Sequence, residues 1–123
     1  MAPADTADIT GLSAITLTTR DMARAVIFYE KLGFVLKYGG TDSAFTSFHA
    51  GSGFLNLIAA DPDLPFHGWG RVIFHVADVD GFHARALDQR LTPQFPPEDA
   101  PWGERYFHIT DPDGHELSFA KPL

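Results

Sequence analysis

A pattern repeated at a fixed offset constrains this chain more than any other feature. Ile15, Leu17 and Thr19 alternate with Ala14, Thr16 and Thr18, the period-two mark of a half-buried strand, and Asp21 then stands where a helix N-cap belongs. Met22, Ala25, Val26, Tyr29 and Leu32 follow at helical spacing, with Phe28 and Tyr29 read as core and Gly33 as the stop. Setting Asp21 against Asp78, an offset of 57 residues, lays Ile15, Leu17 and Thr19 on Val72, Phe74 and Val76. The second copy alternates those three with Arg71, Ile73 and His75, and opens a helix at Asp78 that runs through Phe82, Ala86 and Leu87. After Gly33 come Phe34-Val35-Leu36, the break Gly39-Gly40, a strand near residues 44–49, the turn Gly51-Ser52-Gly53 and a strand over Phe54–Ile58. The unit reads βαβββ, so the fold class is α+β, built from two such modules that each bury one face. We place them at about residues 12–60 and 69–121, joined by a linker at 61–68 and preceded by a loosely held tail at 1–11.

The second module ends in a hairpin. In Asp111-Pro112-Asp113-Gly114, proline presets the turn and Gly114 relieves its exit. On its flanks Phe107 and Ile109 alternate with Tyr106, His108 and Thr110, and Leu117 and Phe119 with Glu116 and Ser118. One face is apolar and the other carries groups capable of chemistry. The loop before it, TPQFPPEDAPWG, is longer than its counterpart in the first half.

Bulk properties exclude several classes. With 123 residues the chain fits one domain, and with no cysteine it can form neither a disulfide nor a thiolate metal site, which points to a reducing, cytoplasmic setting. A formal charge of −7 argues against nucleic acid and anionic membranes as partners and mildly favours cationic ligands. No apolar run approaches the roughly 20 residues of a membrane span, and the first residues do not read as a signal peptide.

The runs DMARAVIFYEKLGF, RVIFHVADVDGF and DPDGHELSF, in this order and in duplicate, resemble the vicinal oxygen chelate superfamily, which includes glyoxalase I, extradiol dioxygenases and the fosfomycin- and bleomycin-resistance proteins. The resemblance covers about residues 12–121 and lies nearest the metal-free bleomycin-resistance-like branch. It implies duplicated modules whose strands curl into a cup-shaped mixed sheet, commonly in a homodimer. In the metal enzymes it also implies one divalent ion, held from the first and last strands of each module. Carried over residue by residue, those ligand positions fall on Ala14, Asn56, Arg71 and Ser118. None is a histidine or a carboxylate. A guanidinium beside a doubly charged ion would cost roughly 8 kcal/mol at about 4 Å and an effective dielectric of about 20. No cofactor is therefore expected.

Alternation aims Ala14, Thr16, Thr18, Asn56, Arg71, Ile73, His75, Glu116 and Ser118 at the cup. The ligand-binding candidates are Asn56, Arg71, His75, Trp102, His108, Glu116 and Ser118. Arg71 suits a carboxylate or phosphate, or else a salt bridge to Glu116 or Glu104. Trp102 resembles the loop aromatic on which bleomycin-resistance proteins hold flat rings, or else packs on a sheet edge or dimer interface. Phe45, Phe66 and Trp69 could add stacking surface. His75, His108 and Glu116 form a conceivable displaced metal set, whereas His83 reads as solvated. No catalytic constellation is legible. The leading expectation is a metal-free protein that sequesters or carries a small organic molecule. The alternative is a metal-dependent lyase or dioxygenase of the glyoxalase type with displaced ligands, and a third reading is a dimeric structural or regulatory subunit.

Overall fold

The computed structural model describes residues 12–63 and 71–123. The expected tail, most of the expected linker, and with them Phe66, His67 and Trp69, lie outside the described residues.

Each half forms a four-stranded sheet and one helix. The first half runs β1 (Ala14–Thr19), α1 (Met22–Leu32), β2 (Val35–Tyr38), β3 (Phe45–Ala50) and β4 (Gly53–Ala59), and its sheet order is β1-β4-β3-β2. The second runs β5 (Arg71–His75), α2 (Val79–Asp88), β6 (Glu98–Asp99), β7 (Glu104–Thr110) and β8 (Glu116–Pro122), ordered β5-β8-β7-β6. In both, the first strand lies parallel to the last and the remaining pairs are antiparallel. The register preserves the repeat, since Thr16 faces Asn56 in one sheet and its counterpart Ile73 faces Ser118 in the other, although the offset has grown from 57 residues in the first strands to 62 in the last.

The helix starts are near copies. Asp21 and Asp78 both take extended backbone (φ −145° and −141°), and each side chain accepts a backbone N–H three residues on, at 3.1 Å from Arg24 and 3.0 Å from Gly81. Such a cap typically stabilises a helix by about 1 kcal/mol. The ends differ. Gly33 closes α1 in the left-handed region at φ +104°, and the Arg85 guanidinium of α2 lies where a β-carbon would project. From there Arg85 Nη1 donates to Leu32 O at 3.2 Å. A side chain at position 33 would meet both the dihedral cost and that contact.

One core serves both halves. Leu17, Phe48, Leu55 and Leu57 of the first sheet join Val72, Phe107, Ile109, Leu117 and Phe119 of the second around α1 and α2. Phe34 spans the halves with ring centroids 5.3 Å from Phe74 and 6.4 Å from Phe119. The 111–115 turn adds a polar joint. Asp111 accepts the Tyr29 hydroxyl at 2.7 Å through one oxygen and the N–H groups of Asp113 and His115 at 2.9 Å through the other. His115 donates Nε2–H to Thr18 O at 2.7 Å, and Asp113 accepts Arg20 N–H at 2.8 Å. Burial raises the pKa of both Tyr29 and Asp111.

Two local expectations need correction. The long loop of the second half contains a strand: Glu98 and Asp99 pair with Tyr106 and Arg105 as the counterpart of β2. His83 is not simply solvated; half-buried, it stands edge-on to the Phe107 ring at 5.1 Å.

Candidate functional site

The face of the second sheet turned away from the core carries the chemistry-capable side chains together. Across β5, β8 and β7 the rows read Arg71, Glu116, Thr110, then Ile73, Ser118, His108, then His75, Ala120, Tyr106. The middle strand contributes the small Ser118 and Ala120, both buried although they point to this open face. Longer side chains bridge over them, making β8 the floor of a trough.

Two polar bridges cross that floor. Arg71 holds one oxygen of Glu116, with Nη2 at 2.7 Å and Nε at 2.8 Å, and the other Glu116 oxygen faces His108 Nδ1 at 3.4 Å. Farther along, His75 Nε2 meets Glu104 at 3.1 Å, and the second Glu104 oxygen accepts the Trp102 indole N–H at 3.0 Å. The Arg71 guanidinium holds Glu116 below the usual carboxylate range. Desolvation, and then the Arg71 charge, hold His108 below the ordinary histidine value, so its imidazole is neutral at pH 7.

Aromatic rings form the far wall. Trp102, 64% exposed, lies 5.2 Å from Tyr106. Tyr106 in turn contacts His108 at 5.2 Å and Phe95 at 5.4 Å, and Phe95 reaches His108 at 5.1 Å. A backbone bond from Gln94 N–H to His108 O, 2.9 Å, brings Phe95 to β7. The Tyr106 hydroxyl donates to Glu98 at 2.9 Å, and this bond raises its pKa.

Of the sequence candidates, Arg71, His75, Trp102, His108, Glu116 and Ser118 share this face. Asn56 does not: it lies on the first sheet, where its side chain donates to Thr16 Oγ1 at 3.2 Å. Phe45 also belongs to the first sheet, 6.4 Å from Tyr38. The charge of Arg71 is met by Glu116, the salt-bridge alternative raised above. Phe95, Tyr106, Glu98 and Glu104 are the neighbours that sequence reasoning left out of the site. The alternation that selected His108 also selects Tyr106, whereas Phe95 carried no signal because a loop delivers it.

The family's metal positions do not fit an ion. Ala14 and Arg71 provide no donor, and the Arg71 guanidinium occupies the space beside Glu116 that a cation would need. Among the described residues, no three His, Asp or Glu side chains converge as a metal-ligand set. The displaced set is split, because His75 is turned to Glu104 while His108 faces Glu116.

Two clefts lie beside β5. One, of about 440 Å³, is lined by Phe34, His49, Phe74, His75 and Phe82 among others. The other, of about 420 Å³, brings Ala14 and Phe54 of the first sheet against Arg71 and Ile73. The residues lining these two clefts do not include Phe95, Trp102 or Tyr106 of the aromatic wall.

The model of the Glyoxalase/Bleomycin resistance protein/Dioxygenase superfamily matches residues 11–119. The chain belongs to this superfamily. Solved superfamily folds superpose along nearly its whole length. The bleomycin resistance determinant encoded on transposon Tn5 has a TM-score of 0.76 at 22% identity, covering 92% of this chain and 98% of its own. A bleomycin-binding protein complexed with bleomycin gives 0.74 at 22%, with 94% and 100% covered. Lactoylglutathione lyase from Agrobacterium tumefaciens gives 0.73 at 20%, with 91% and 93% covered. At these identities the likeness is one of fold. A comparison with curated protein sequences finds no match. Among the described residues, no helix of this superfamily member is long and apolar enough to cross a membrane.

Proposed function

We propose that this protein binds a flat organic molecule on the open face of its second sheet and sequesters or carries it without a metal ion. The observation that carries this reading is the wall of Trp102, Tyr106, Phe95 and His108 beside the Arg71–Glu116 bridge, in a chain whose family metal positions hold Ala14, Asn56, Arg71 and Ser118. Rings offer stacking area, and the bridges offer hydrogen-bonding partners at fixed positions. Glu98 and Glu104 at the aromatic wall, with the overall charge of −7, favour a ligand with cationic groups. Arg71, already paired, serves better as a strut than as an anion anchor.

A second copy of the chain would close the trough. The open faces of both sheets expose apolar side chains, with Val35, Tyr38, Ile58 and Ile73 between 43% and 64% accessible. Among the described residues, no strand pairs with the outer edges of β1 and β5. Burying both in a homodimer would set the apolar face of one protomer, with Asn56 and Phe45, over the polar face of the other. The lack of cysteine suits a cytoplasmic location.

The test is equilibrium binding of bleomycin and of flat aromatic cations, followed by tryptophan fluorescence in the wild type and in Trp102→Phe, with the bound compound then recovered and analysed. Saturable binding weakened in the variant, with unchanged compound recovered, is expected. A metal-dependent change in the compound, or one divalent ion per purified chain, would overturn the reading in favour of a glyoxalase-type enzyme.

A further inference from the structure

We propose that His108 is a proton acceptor, oriented by a Glu116 carboxylate that Arg71 pins in place, and that it can remove a proton from a carbon acid bound against Phe95 and Tyr106. The proposal rests on the reading that this face holds a flat organic molecule, and adds proton transfer to binding.

Three observations meet at one ring. Nδ1 of His108 faces Glu116 at 3.4 Å, and a carboxylate on that side favours the tautomer with hydrogen on Nδ1. Nε2, on the opposite side of the imidazole, then carries the lone pair, and among the described residues no hydrogen bond engages it. Glu116 is held in place because its other oxygen accepts a hydrogen bond from Arg71 Nε and pairs with Nη2. The 3.4 Å separation is longer than a well-formed hydrogen bond, as catalytic pairs often are before a ligand closes the site. Phe95 and Tyr106 stand 5.1 and 5.2 Å from the imidazole and supply the surface on which a planar reactant would lie.

The charges around His108 keep the base in its working form. Arg71 on β5 opposes protonation, whereas Glu116 on β8 and Glu98 on β6 favour it; desolvation exceeds both, and the ring stays neutral near pH 7. The other titratable group against it, Tyr106, is protonated there and hydrogen-bonded to Glu98. No metal, oxidant or reductant is needed for the step. A C–H bond breaks, its proton goes to Nε2, and its electron pair stays with the reactant until a bond to a leaving group breaks or another carbon is reprotonated.

The probe is 5-nitrobenzisoxazole, a flat aromatic carbon acid. Loss of its ring C–H proton to a base forms a nitrile as the N–O bond breaks, and the oxygen departs with its electron pair as a yellow phenolate. The intact protein is expected to convert it with saturation, faster than the same concentration of imidazole, with a pH–rate inflection below the ordinary histidine value. His108→Gln is expected to lower the rate about 100-fold. Glu116→Gln, a change in the positioning residue, is expected to lower kcat and shift the inflection while largely sparing KM. His83→Gln, on α2, serves as the histidine control and should react like the wild type. Quenching of tryptophan fluorescence by the probe is followed in parallel. Saturable quenching with a rate no greater than that of imidazole would overturn the proposal and leave the ligand-binding reading standing. A rate unaffected by His108→Gln in a protein that melts like the wild type would also overturn it, as would the absence of both saturation and rate.

Discussion

Tyr29 and Asp111, 82 residues apart in sequence, meet through a buried 2.7 Å hydrogen bond that ties the helix of the first module to the terminal turn of the second. Every oxygen position of that carboxylate is used: one oxygen takes the phenol, the other two backbone N–H groups. Tyr29→Phe keeps the ring that packs on Phe34 and Phe48 and removes only the donor. The variant should lose about 1–3 kcal/mol of unfolding free energy in urea titration, with the m-value unchanged. A loss under a few tenths of a kcal/mol would mean that the bond does not hold the modules together.

His108 gives stability a defined dependence on pH. Its pKa is lowered in the fold, so between that value and the ordinary 6.5 the unfolded chain binds more protons than the folded one. Stability therefore rises with pH through that window and is lost as pH falls through it. Melting temperatures of the wild type and His108→Gln, compared between pH 7 and 5, should show the wild type falling more steeply. Parallel curves would refute the assignment.

Trp102 contributes ring area to the open face, where Glu104 accepts its indole N–H and Tyr106 lies beside its ring. Trp102→Ala should weaken binding of a flat ligand by about 1–3 kcal/mol, roughly 5- to 150-fold in Kd, with thermal stability changed little because the side chain is 64% exposed. Equal affinity in the variant, measured by calorimetry, would remove Trp102 from the site.

Ile73 lies between the two clefts and is 59% exposed. If a second copy covers it, Ile73→Lys should convert a dimer to a monomer in light scattering coupled to gel filtration, while circular dichroism stays native. A wild type already monomeric at high micromolar concentration would dismiss the homodimer.

Much of this architecture could be read from local sequence, because local rules determine it. Asp21, Asp78 and Gly33 sit where capping physics demands, and the period-two alternation of β1, β5, β7 and β8 matches the faces observed. Strand β6 was illegible because two acidic residues after Pro96-Pro97 have no strand preference of their own; Tyr106 and Arg105 impose it. The candidate site was legible as a face and not as a set of partners. Alternation puts Arg71, His75 and Glu116 together, yet does not decide that Glu116 is divided between Arg71 and His108 or that His75 turns to Glu104. Those choices follow from side-chain lengths across the small residues of β8, which no single strand encodes.

The hairpin of β7 and β8 has a role at each extremity. Its flat surface presents His108, Glu116 and Ser118, and its bend grips Thr18, Arg20 and Tyr29 of the other repeat. A paired ribbon of this kind is stiff, so whatever steadies one extremity also steadies the other. An occupant of the open surface would in this way act at a distance as a clasp, making the two repeats harder to pull apart.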